Sequence, residues 1–321
     1  MLLRKDLDAK NIKPKRFYWS TVSRTVVYAL GGNTLQSGTD ESIEESSLVL
    51  AKVMSDVVDL LEGGWRVVIT HGNGPQVGHL LALDQSVGLD FWVSATQGMI
   101  GHQLSLNLDS ILLGRGRPER TAIIVTRVEV DSTDPGFQSP TKPVGPILSD
   151  DDVMSKNWDI AQTAQGPRRV VASPLPMRIL DLDVIKALVD QRAIVICGGG
   201  GGIPVVKKDD HFIGVPAVVD KDRLSALLAI KLQADALIIT TAVDSIRTNF
   251  GGEDEQIHSQ LTVDEVIKYM AEGQFPIGSM GPKVSSLVEA VVHVPGLKSL
   301  LCQPGDALGA LRGEKGTRIV L

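Results

Sequence analysis

Short apolar runs alternate with longer amphipathic stretches along most of the chain, and glycines follow many of the apolar runs. The first run begins at Thr25 and leads into Gly31. A helical pattern then covers residues 48–61, two glycines end it, and the next apolar run, 67–70, leads into a second glycine turn. Two parallel strands joined by a helix place both turns at the carboxyl edge of a sheet, where open α/β sheets bind ligands.

The same alternation continues to the C-terminus. Further strands are predicted at 121–130, 169–172, 193–197, 236–240, 297–302 and 317–321, and a hairpin at 205–215. Further helices are predicted at about 96–113, near 182–189, at 263–270 and from Val284 onward. The strands are too apolar to leave one face in water, so helices should cover both faces. We therefore predict an α/β fold, a three-layer α/β/α sandwich with an open, mainly parallel central sheet.

The stretch 193–232 combines a strand, five consecutive glycines and a helix. Glycine lets the backbone reach positive φ and approach a ligand closely. Asp220, Lys221 and Asp222 directly precede an amphipathic leucine pattern, which predicts a helix that begins there. Two acids at a helix start often serve only as caps. A lysine between them adds positive charge where free N–H groups favour phosphate, so a capped structural helix and a nucleotide phosphate site both remain open.

Two segments depart from the regular rhythm. Residues 1–24 carry a basic excess without a clean apolar period and are predicted to be a surface tail. Residues 131–168 form a long insertion with several prolines and an acidic run. Irregular insertions of this length are usually lids or small subdomains, and we predict a mobile lid.

Composition restricts the class of partner. The 321 residues are 43% hydrophobic and 22% charged, and the formal charge is −6. This balance is ordinary for a globular protein and argues against nonspecific nucleic-acid binding. No apolar run reaches the roughly 18 residues that a membrane helix needs. The two cysteines, Cys197 and Cys302, end apolar runs, which is typical of a reducing compartment, and we expect a cytoplasmic protein without membrane or nucleic-acid partners.

The loops predict a phosphate site of an uncommon type. Neither G-x-x-x-x-G-K-[ST] nor a G-x-G-x-x-G after the first strand occurs in the sequence. Lys142, Lys221 and Lys283 instead lie in or beside glycine- and proline-containing loops. Each lysine alone reads more simply as a surface or helix-start charge. Together with backbone N–H groups they suit phosphoryl transfer, which requires positioning and charge neutralisation, so the sequence predicts a kinase.

A metal site made by protein side chains is not expected. His71, His79 and His102 have no carboxylate or cysteine partner at ligand spacing. Mg²⁺ is expected to arrive on the nucleotide phosphates.

An ordered set of motifs then resembles one known family. The motifs are ALGGN (29–33), HGNGPQVG (71–78), TQGMIG (96–101), TDPGFQSPTKPVGP (133–146), RRVVASP (168–174), GGGGIPVV (199–206), VVDKD (218–222) and GSMGPK (278–283). Together they resemble carbamate kinase, a branch of the amino acid kinase superfamily, over residues 25–321. The resemblance implies an eight-stranded, mainly parallel sheet and ATP-dependent transfer to carbamate, giving ADP and carbamoyl phosphate. It further implies a homodimer and a link to arginine metabolism.

The resemblance also implies a role for each matching residue. Residues 25–190 would form a carbamate-binding lobe that includes the lid, and residues 191–321 a nucleotide-binding lobe. The implied catalytic residues are Lys142, Lys221, Asp222 and Lys283, with Lys142 reaching the transferred phosphoryl group from the lid. The implied substrate-binding residues are Gly31, Gly32, Asn33, Gly72, Asn73 and Gly74. The implied nucleotide-binding residues are Asp220, Lys221, Thr241, Asp244 and Lys283.

The chain departs from the family pattern in two places. Ala242 stands where the family usually has aspartate, and Arg247 where it usually has an aromatic residue. The lid reads AQTAQGPRR at 161–169 where the family usually reads EDAGRGYRR. Two alternatives to carbamate kinase therefore stay open: a related phosphotransferase that acts on another small carbamate or carboxylate, and a catalytically silent nucleotide sensor or scaffold.

Overall fold

The computed structural model describes residues 24–31, 40–84, 86–156, 158–163, 166–276 and 278–321. Of the predicted tail, only Arg24 lies within these residues. The strands are β1 (Arg24–Leu30), β2 (Trp65–His71), β3 (Thr121–Ile123), β4 (Arg127–Val130), β5 (Lys142–Ile147), β6 (Ile160–Thr163), β7 (Gly166–Val171), β8 (Pro176–Ile179), β9 (Ile194–Ile196), β10 (Ile203–Lys208), β11 (His211–Gly214), β12 (Ala236–Thr240), β13 (Ile246–Thr248), β14 (Gln256–His258), β15 (Gln260–Thr262), β16 (Lys298–Cys302) and β17 (Thr317–Val320). The helices are α1 (Asp40–Glu62), α2 (Gly74–Leu83), α3 (Leu89–Gly114), α4 (Asp150–Ser155), α5 (Leu182–Asp190), α6 (Lys221–Leu232), α7 (Val263–Ala271), α8 (Met280–His293) and α9 (Ala307–Arg312).

The central sheet has eight strands in the order β15-β17-β16-β12-β1-β2-β9-β3. Its neighbours pair in parallel except β16 and β17, which are antiparallel. β1 lies in the middle, where Val26 pairs with Val67 of β2 on one side and with Ala236 of β12 on the other. The predicted open, mainly parallel sheet is confirmed.

Helices cover both faces of this sheet, as predicted. Val27 and Ala29 of β1 point into a core that includes residues of α6 and α8. Val26, Tyr28 and Leu30 point into a second core with residues of α1, α3 and α9. Because successive strand side chains alternate between faces, a continuous apolar run such as β1 requires a core on each side. The fold is a three-layer α/β/α sandwich.

The prediction of one strand over 121–130 is wrong. The segment divides into β3, at the edge of the central sheet, and β4, in a four-stranded sheet with the order β11-β10-β4-β8. The chain leaves the central sheet around Thr126, whose hydroxyl accepts a hydrogen bond from the Gly198 N–H at 2.8 Å. The Thr126 N–H donates at 2.7 Å to Oε1 of Gln97 rather than to a strand neighbour. β-branched residues continue through this break, so strand propensity does not reveal it.

The insertion folds as a small subdomain. β5, β7 and β6 form an antiparallel sheet, and a capping box at Ser149 and Asp152 begins α4. The segment 169–172, predicted to return to the regular alternation, belongs mainly to β7 of this sheet. Val144 and Val171 join the subdomain to a third core that includes Val77. The expected extra structure is present, and its mobility stays a prediction.

Several helices differ from their sequence patterns. α3 begins at Leu89, earlier than predicted. α6 was predicted to be amphipathic, yet it is buried around most of its circumference, including Ser225 and Ala226. α8 begins at Met280, so Lys283 lies in its first turn and not in a loop before it. In the part of the chain that the structure describes, no helix combines the length and apolar character needed to cross a membrane.

Candidate functional site

A cavity of about 730 Å³ opens at the carboxyl edge of the central sheet. Its walls include Gly31 after β1, the Gly72–Asn73–Gly74 turn after β2 and Thr241 after β12. These are the ends of adjacent parallel strands, and this edge is where open α/β sheets place ligands. A cavity therefore lies where the sequence predicts the ligand site.

Most of the site residues predicted from the sequence line this one cavity. They are Gly31, Gly72, Asn73, Gly74, Lys142, Asp220, Lys221, Asp222, Thr241 and Lys283. Asp244 is not among the lining residues, and its carboxylate pairs with Arg247 at 2.9 Å. Gly32 and Asn33 lie outside the described residues. Residues as far apart in sequence as Gly31 and Lys283 therefore meet at a single site.

The start of α6 brings the Asp-Lys-Asp triplet into the cavity wall. Asp220 is the N-cap, and its Oδ1 accepts hydrogen bonds from the N–H groups of Asp222 at 2.9 Å and Arg223 at 3.3 Å. Lys221 is the first helical residue and is buried. The capping role is therefore present. Lys221 also lines the cavity, and a nucleotide phosphate site at this helix start stays a prediction.

Three lysines and two aspartates form an ion-pair network across the cavity. Lys142 Nζ lies 2.5 Å from Asp220 Oδ2, which joins the insertion to the α6 terminus. Asp222 receives Lys221 Nζ at 2.5 Å on one oxygen and Lys283 Nζ at 2.8 Å on the other. Each carboxylate thus fixes the position of at least one ammonium group beside the open space.

Burial and neighbouring charge set the protonation of this network. Burial would raise the pKa of Asp222, but Lys221 and Lys283 outweigh it and hold that pKa well below its ordinary value. Burial acts likewise on Asp220, where Lys142 is the leading opposing charge and the pKa is lowered. Burial lowers the pKa of Lys221, and Asp222 partly opposes this effect. Both aspartates are therefore anions that hold cations near the cavity.

The five glycines of 198–202 serve packing more than direct contact with the cavity. Gly200 lines the cavity and has φ +63°. A Cβ at Gly200 would lie 2.1 Å from Asn73 Nδ2, and one at Gly199 would lie 2.4 Å from His71 Cε1. The expected positive φ and close approach are present, but neighbouring side chains account for much of the glycine requirement.

Polar residues of α3 support these loops and were not singled out as site residues. Thr96 accepts a hydrogen bond from Asn73 Nδ2 at 2.9 Å. Gln97 donates to the Gly199 carbonyl at 3.0 Å, and its Oε1 accepts from the Thr126 N–H. Both side chains are buried on an otherwise apolar helix face. The adjacent polar residues Thr96 and Gln97 within an otherwise apolar helix pattern were the sequence signal that could have identified them.

Two further lining residues gave no motif signal. Lys52 lies on the exposed side of α1, where a lysine is expected to be a solvated charge. Gln303, after β16, donates to the Ala242 carbonyl at 2.7 Å. With Lys52, four lysines and two aspartates are among the described residues that line the cavity, an excess of positive charge that favours an anionic ligand.

The comparisons with known proteins agree with the motifs. A model of the amino acid kinase family matches residues 24–296. Carbamate kinase from Clostridium perfringens (strain 13 / Type A) is 41% identical over 311 residues, which cover 92% of this chain and 99% of that protein. Carbamate kinase from Halobacterium salinarum is 39% identical over 310 residues, which cover 93% and 99%.

A solved structure shows the same relationship in three dimensions. Carbamate kinase from Giardia lamblia bound to AMP-PNP superposes with a TM-score of 0.82 and 33% sequence identity, covering 93% of this chain and 98% of that one. The sequence and the fold agree with these relatives over nearly their whole length. The chain therefore belongs to the amino acid kinase family, and within it to the carbamate kinases.

Proposed function

We propose that this protein catalyses reversible phosphoryl transfer between ATP and carbamate, giving ADP and carbamoyl phosphate. The observation that carries the proposal is the network of Lys142, Lys221 and Lys283 with two aspartates around one cavity at the sheet edge. The relatives named carbamate kinase support the choice of acceptor, and the AMP-PNP complex of the Giardia protein supports ATP as donor.

The proposed reaction needs no covalent intermediate on the protein. A carbamate oxygen attacks the γ-phosphorus, a new P–O bond forms, and the bond to the bridging oxygen of ADP breaks. Negative charge spreads over the phosphoryl oxygens as this happens, so fixed cations around the path lower the barrier. Lys142 acts on the transferred group, and Lys221 and Lys283 act on the nucleotide phosphates. Asp222 holds the latter two ammonium groups apart at fixed positions, because each binds a different carboxylate oxygen.

The two ends of the cavity receive different substrates in this proposal. Gly31 and the Gly72–Asn73–Gly74 turn, together with Gly32 and Asn33, hold the carbamate end within residues 25–190. Residues 191–321 supply the nucleotide end, with Asp220 and Thr241 beside the phosphates. A nucleotide-binding role for Asp244 stays a prediction, since its carboxylate pairs with Arg247 outside the cavity lining.

Mg²⁺ is proposed to enter with the nucleotide. The described residues contain no group of three His, Cys, Asp or Glu arranged to hold a metal ion. Asp220 and Asp222 supply carboxylates at the cavity, but both already pair with lysines. This donor set fits an ion held mainly by phosphate oxygens and water, as is common for Mg²⁺, with an aspartate as a supplementary ligand. Bound there, the ion would neutralise phosphate charge.

A homodimer in the cytoplasm is the proposed working form. α3 presents a row of exposed apolar side chains at intervals of seven or eight residues, namely Phe91, Met99, Leu106 and Leu113. Such spacing places them on one side of a helix, where a second copy could cover them. The buried free thiols Cys197 and Cys302 are compatible with a reducing compartment.

An acceptor panel tests the proposal. Purified protein is incubated with Mg²⁺–ATP and either carbamate, formed from ammonium and bicarbonate, or acetate, and ADP release is followed by a coupled assay. We expect turnover with carbamate and little with acetate. Preference for another carboxylate would identify a related phosphotransferase, and tight ATP binding without turnover on any acceptor would identify a sensor. Either result would overturn the proposal.

A further inference from the structure

We propose that Gly78 is a positioning residue that sets where Lys142 stands in the cavity, an inference that rests on the proposed role of Lys142. Gly78 lies within α2 and is buried. A Cβ built on it would lie 2.3 Å from the Cα and 2.4 Å from the N of Gly145 in β5. The backbones of α2 and β5 therefore touch at this point, with no room for a methyl group between them.

The contact lies between the two sides of the proposed acceptor site. α2 begins at Gly74, which lines the cavity, and β5 begins at Lys142, which also lines it. The two elements also share an apolar contact, since Val77 and Val144 belong to the same buried cluster. The separation of α2 and β5 thus fixes how far Lys142 stands from the glycine turn after β2.

A Cβ at Gly78 would clash with atoms that cannot move aside without displacing the backbone. The atoms that its Cβ would meet are backbone atoms, not the mobile end of a side chain. Gly145 is also held by the neighbouring strand β7, because Arg168 Nη2 donates to its carbonyl at 2.6 Å. An added methyl group must therefore push β5 away from α2, and Lys142 is three residues from the point of pressure.

The test is a double-mutant cycle with Gly78→Ala and Lys142→Ala, read in the direction of ATP synthesis. Misplacement of a reacting group by about 1 Å can cost on the order of 10²-fold in rate, so Gly78→Ala should lower kcat by about that factor with little change in the KM for ADP. On the Lys142→Ala background the same change should cost almost nothing, because the displaced group is already gone.

Two outcomes would overturn the proposal. Gly78→Ala with wild-type kcat would show that the contact does not position the lysine. An equal loss on both backgrounds would show that Gly78 acts through another group, such as the adjacent glycine turn. Gly114→Ala is the matched control, since this helical glycine has open space at its Cβ and should leave turnover unchanged.

Two further measurements keep the test decisive. One applies if Gly78→Ala does not fold, and the other applies if the protein is not active on carbamate. If Gly78→Ala does not fold, Gly145→Ala replaces it: its methyl group meets open space, but its φ of +75° disfavours alanine and should displace the same strand. Its loss must likewise vanish on the Lys142→Ala background. Hydrogen exchange provides a readout without activity. Amides of β5 should exchange faster in Gly78→Ala than in wild type while those of β2 do not, and unchanged β5 exchange would contradict the contact even if the wild-type enzyme proved inactive on carbamate.

Discussion

Asp222 organises the charges of the site because it binds two lysines through different oxygens. Its side chain is only 4% exposed, and Lys221 and Lys283 lie 2.5 and 2.8 Å from it. Removing one partner of a buried ion pair leaves an uncompensated charge, which typically costs about 3–5 kcal/mol. The network is therefore a structural unit as well as a proposed catalytic one, and variants of it need a stability measurement beside the kinetics.

Lys221→Ala tests the proposed nucleotide phosphate contact. We expect turnover to fall by about 10²- to 10³-fold, the usual cost of losing one preorganised charge contact in a site of this kind. Lys231→Ala is the control, since Lys231 lies in the last turn of the same helix and is exposed. Steady-state kinetics at saturating substrates, with thermal unfolding of each variant, measure the effect. Near-native turnover of Lys221→Ala would remove this residue from the mechanism.

His71 predicts a pH dependence of stability. Burial lowers its pKa from 6.5 to about 4, and its Nδ1 lies 2.9 Å from the Gly72 carbonyl. The unfolded chain binds a proton near pH 6.5 while the folded protein does not until about pH 4. The free energy of unfolding should therefore fall as the pH drops through this window, by about 3 kcal/mol in total for a shift of this size.

Urea unfolding at several pH values from 4 to 8 measures this dependence. His71→Gln removes the titrating group and should flatten the curve between pH 6.5 and 4. His211→Gln is the matched control substitution, because His211 is exposed in β11. Equal slopes for wild type and His71→Gln would contradict the assignment of a buried neutral imidazole.

Prediction of individual site residues depended on whether a residue carried a local pattern. Lys221 and Lys283 lie beside glycine and acidic motifs, which made them visible in the sequence. Lys52 lies on an ordinary amphipathic helix, and only the packing of α1 at the sheet edge brings it to the cavity. Gln303 likewise follows an apolar strand without any motif. Asp244 is the opposite case. The family resemblance implies a nucleotide-binding role for it, but its carboxylate pairs with Arg247 and does not line the cavity.

At the scale of elements, the insertion predicts a difference in mobility. Residues 131–168 contribute Lys142 to the cavity, and segments that close over a substrate in many enzymes open again for its release. In the absence of nucleotide, its amides should exchange faster than those of β2, and added nucleotide should slow them. Hydrogen exchange followed by mass spectrometry reads both changes. Equal protection of the insertion and β2, with and without nucleotide, would argue against a moving lid.

Element boundaries were predicted less well than element types. The strand 236–240 was predicted at its observed bounds because all five residues are buried and apolar or β-branched. The run 121–130 is likewise rich in β-branched residues, yet hydrogen bonds from the Thr126 N–H to Gln97 Oε1 and from the Gly198 N–H to the Thr126 hydroxyl divide it between two sheets. Those bonds join residues 29 and 72 positions apart, and no local pattern encodes them. The bounds of β7 were not predictable for a similar reason, because its antiparallel partners β5 and β6 lie in an insertion without clear periodicity.

At the scale of the whole molecule, the apolar row on α3 predicts the oligomeric state. Leu106 is 59% exposed and lies in the middle of the row. Leu106→Glu should convert the proposed dimer to a monomer, because a charge would be buried at the centre of the interface. Ile267→Glu is the control, since Ile267 is similarly exposed on α7. Light scattering coupled to gel filtration gives the mass of each variant, and a wild-type monomer would contradict the proposal.

The fold was predictable because its signals repeat along the chain. Apolar strands, glycine turns and amphipathic helices recur in an order that permits few architectures other than a parallel sheet covered on both faces. The meeting of Lys142 with Asp220 was not predictable from these signals. It depends on how the small antiparallel sheet packs against α2, through contacts such as Gly78 with Gly145.

The central claim is that this cavity transfers a phosphoryl group between carbamate and the adenine nucleotide. The most direct measurement is ATP formation from ADP and carbamoyl phosphate with Mg²⁺, detected by luciferase and corrected for spontaneous decay of carbamoyl phosphate without enzyme. We expect saturable formation of one ATP for each carbamoyl phosphate consumed, reduced by about 10²-fold or more in Lys283→Ala. Purified protein that binds ADP in calorimetry but forms no ATP above the enzyme-free control would contradict the claim.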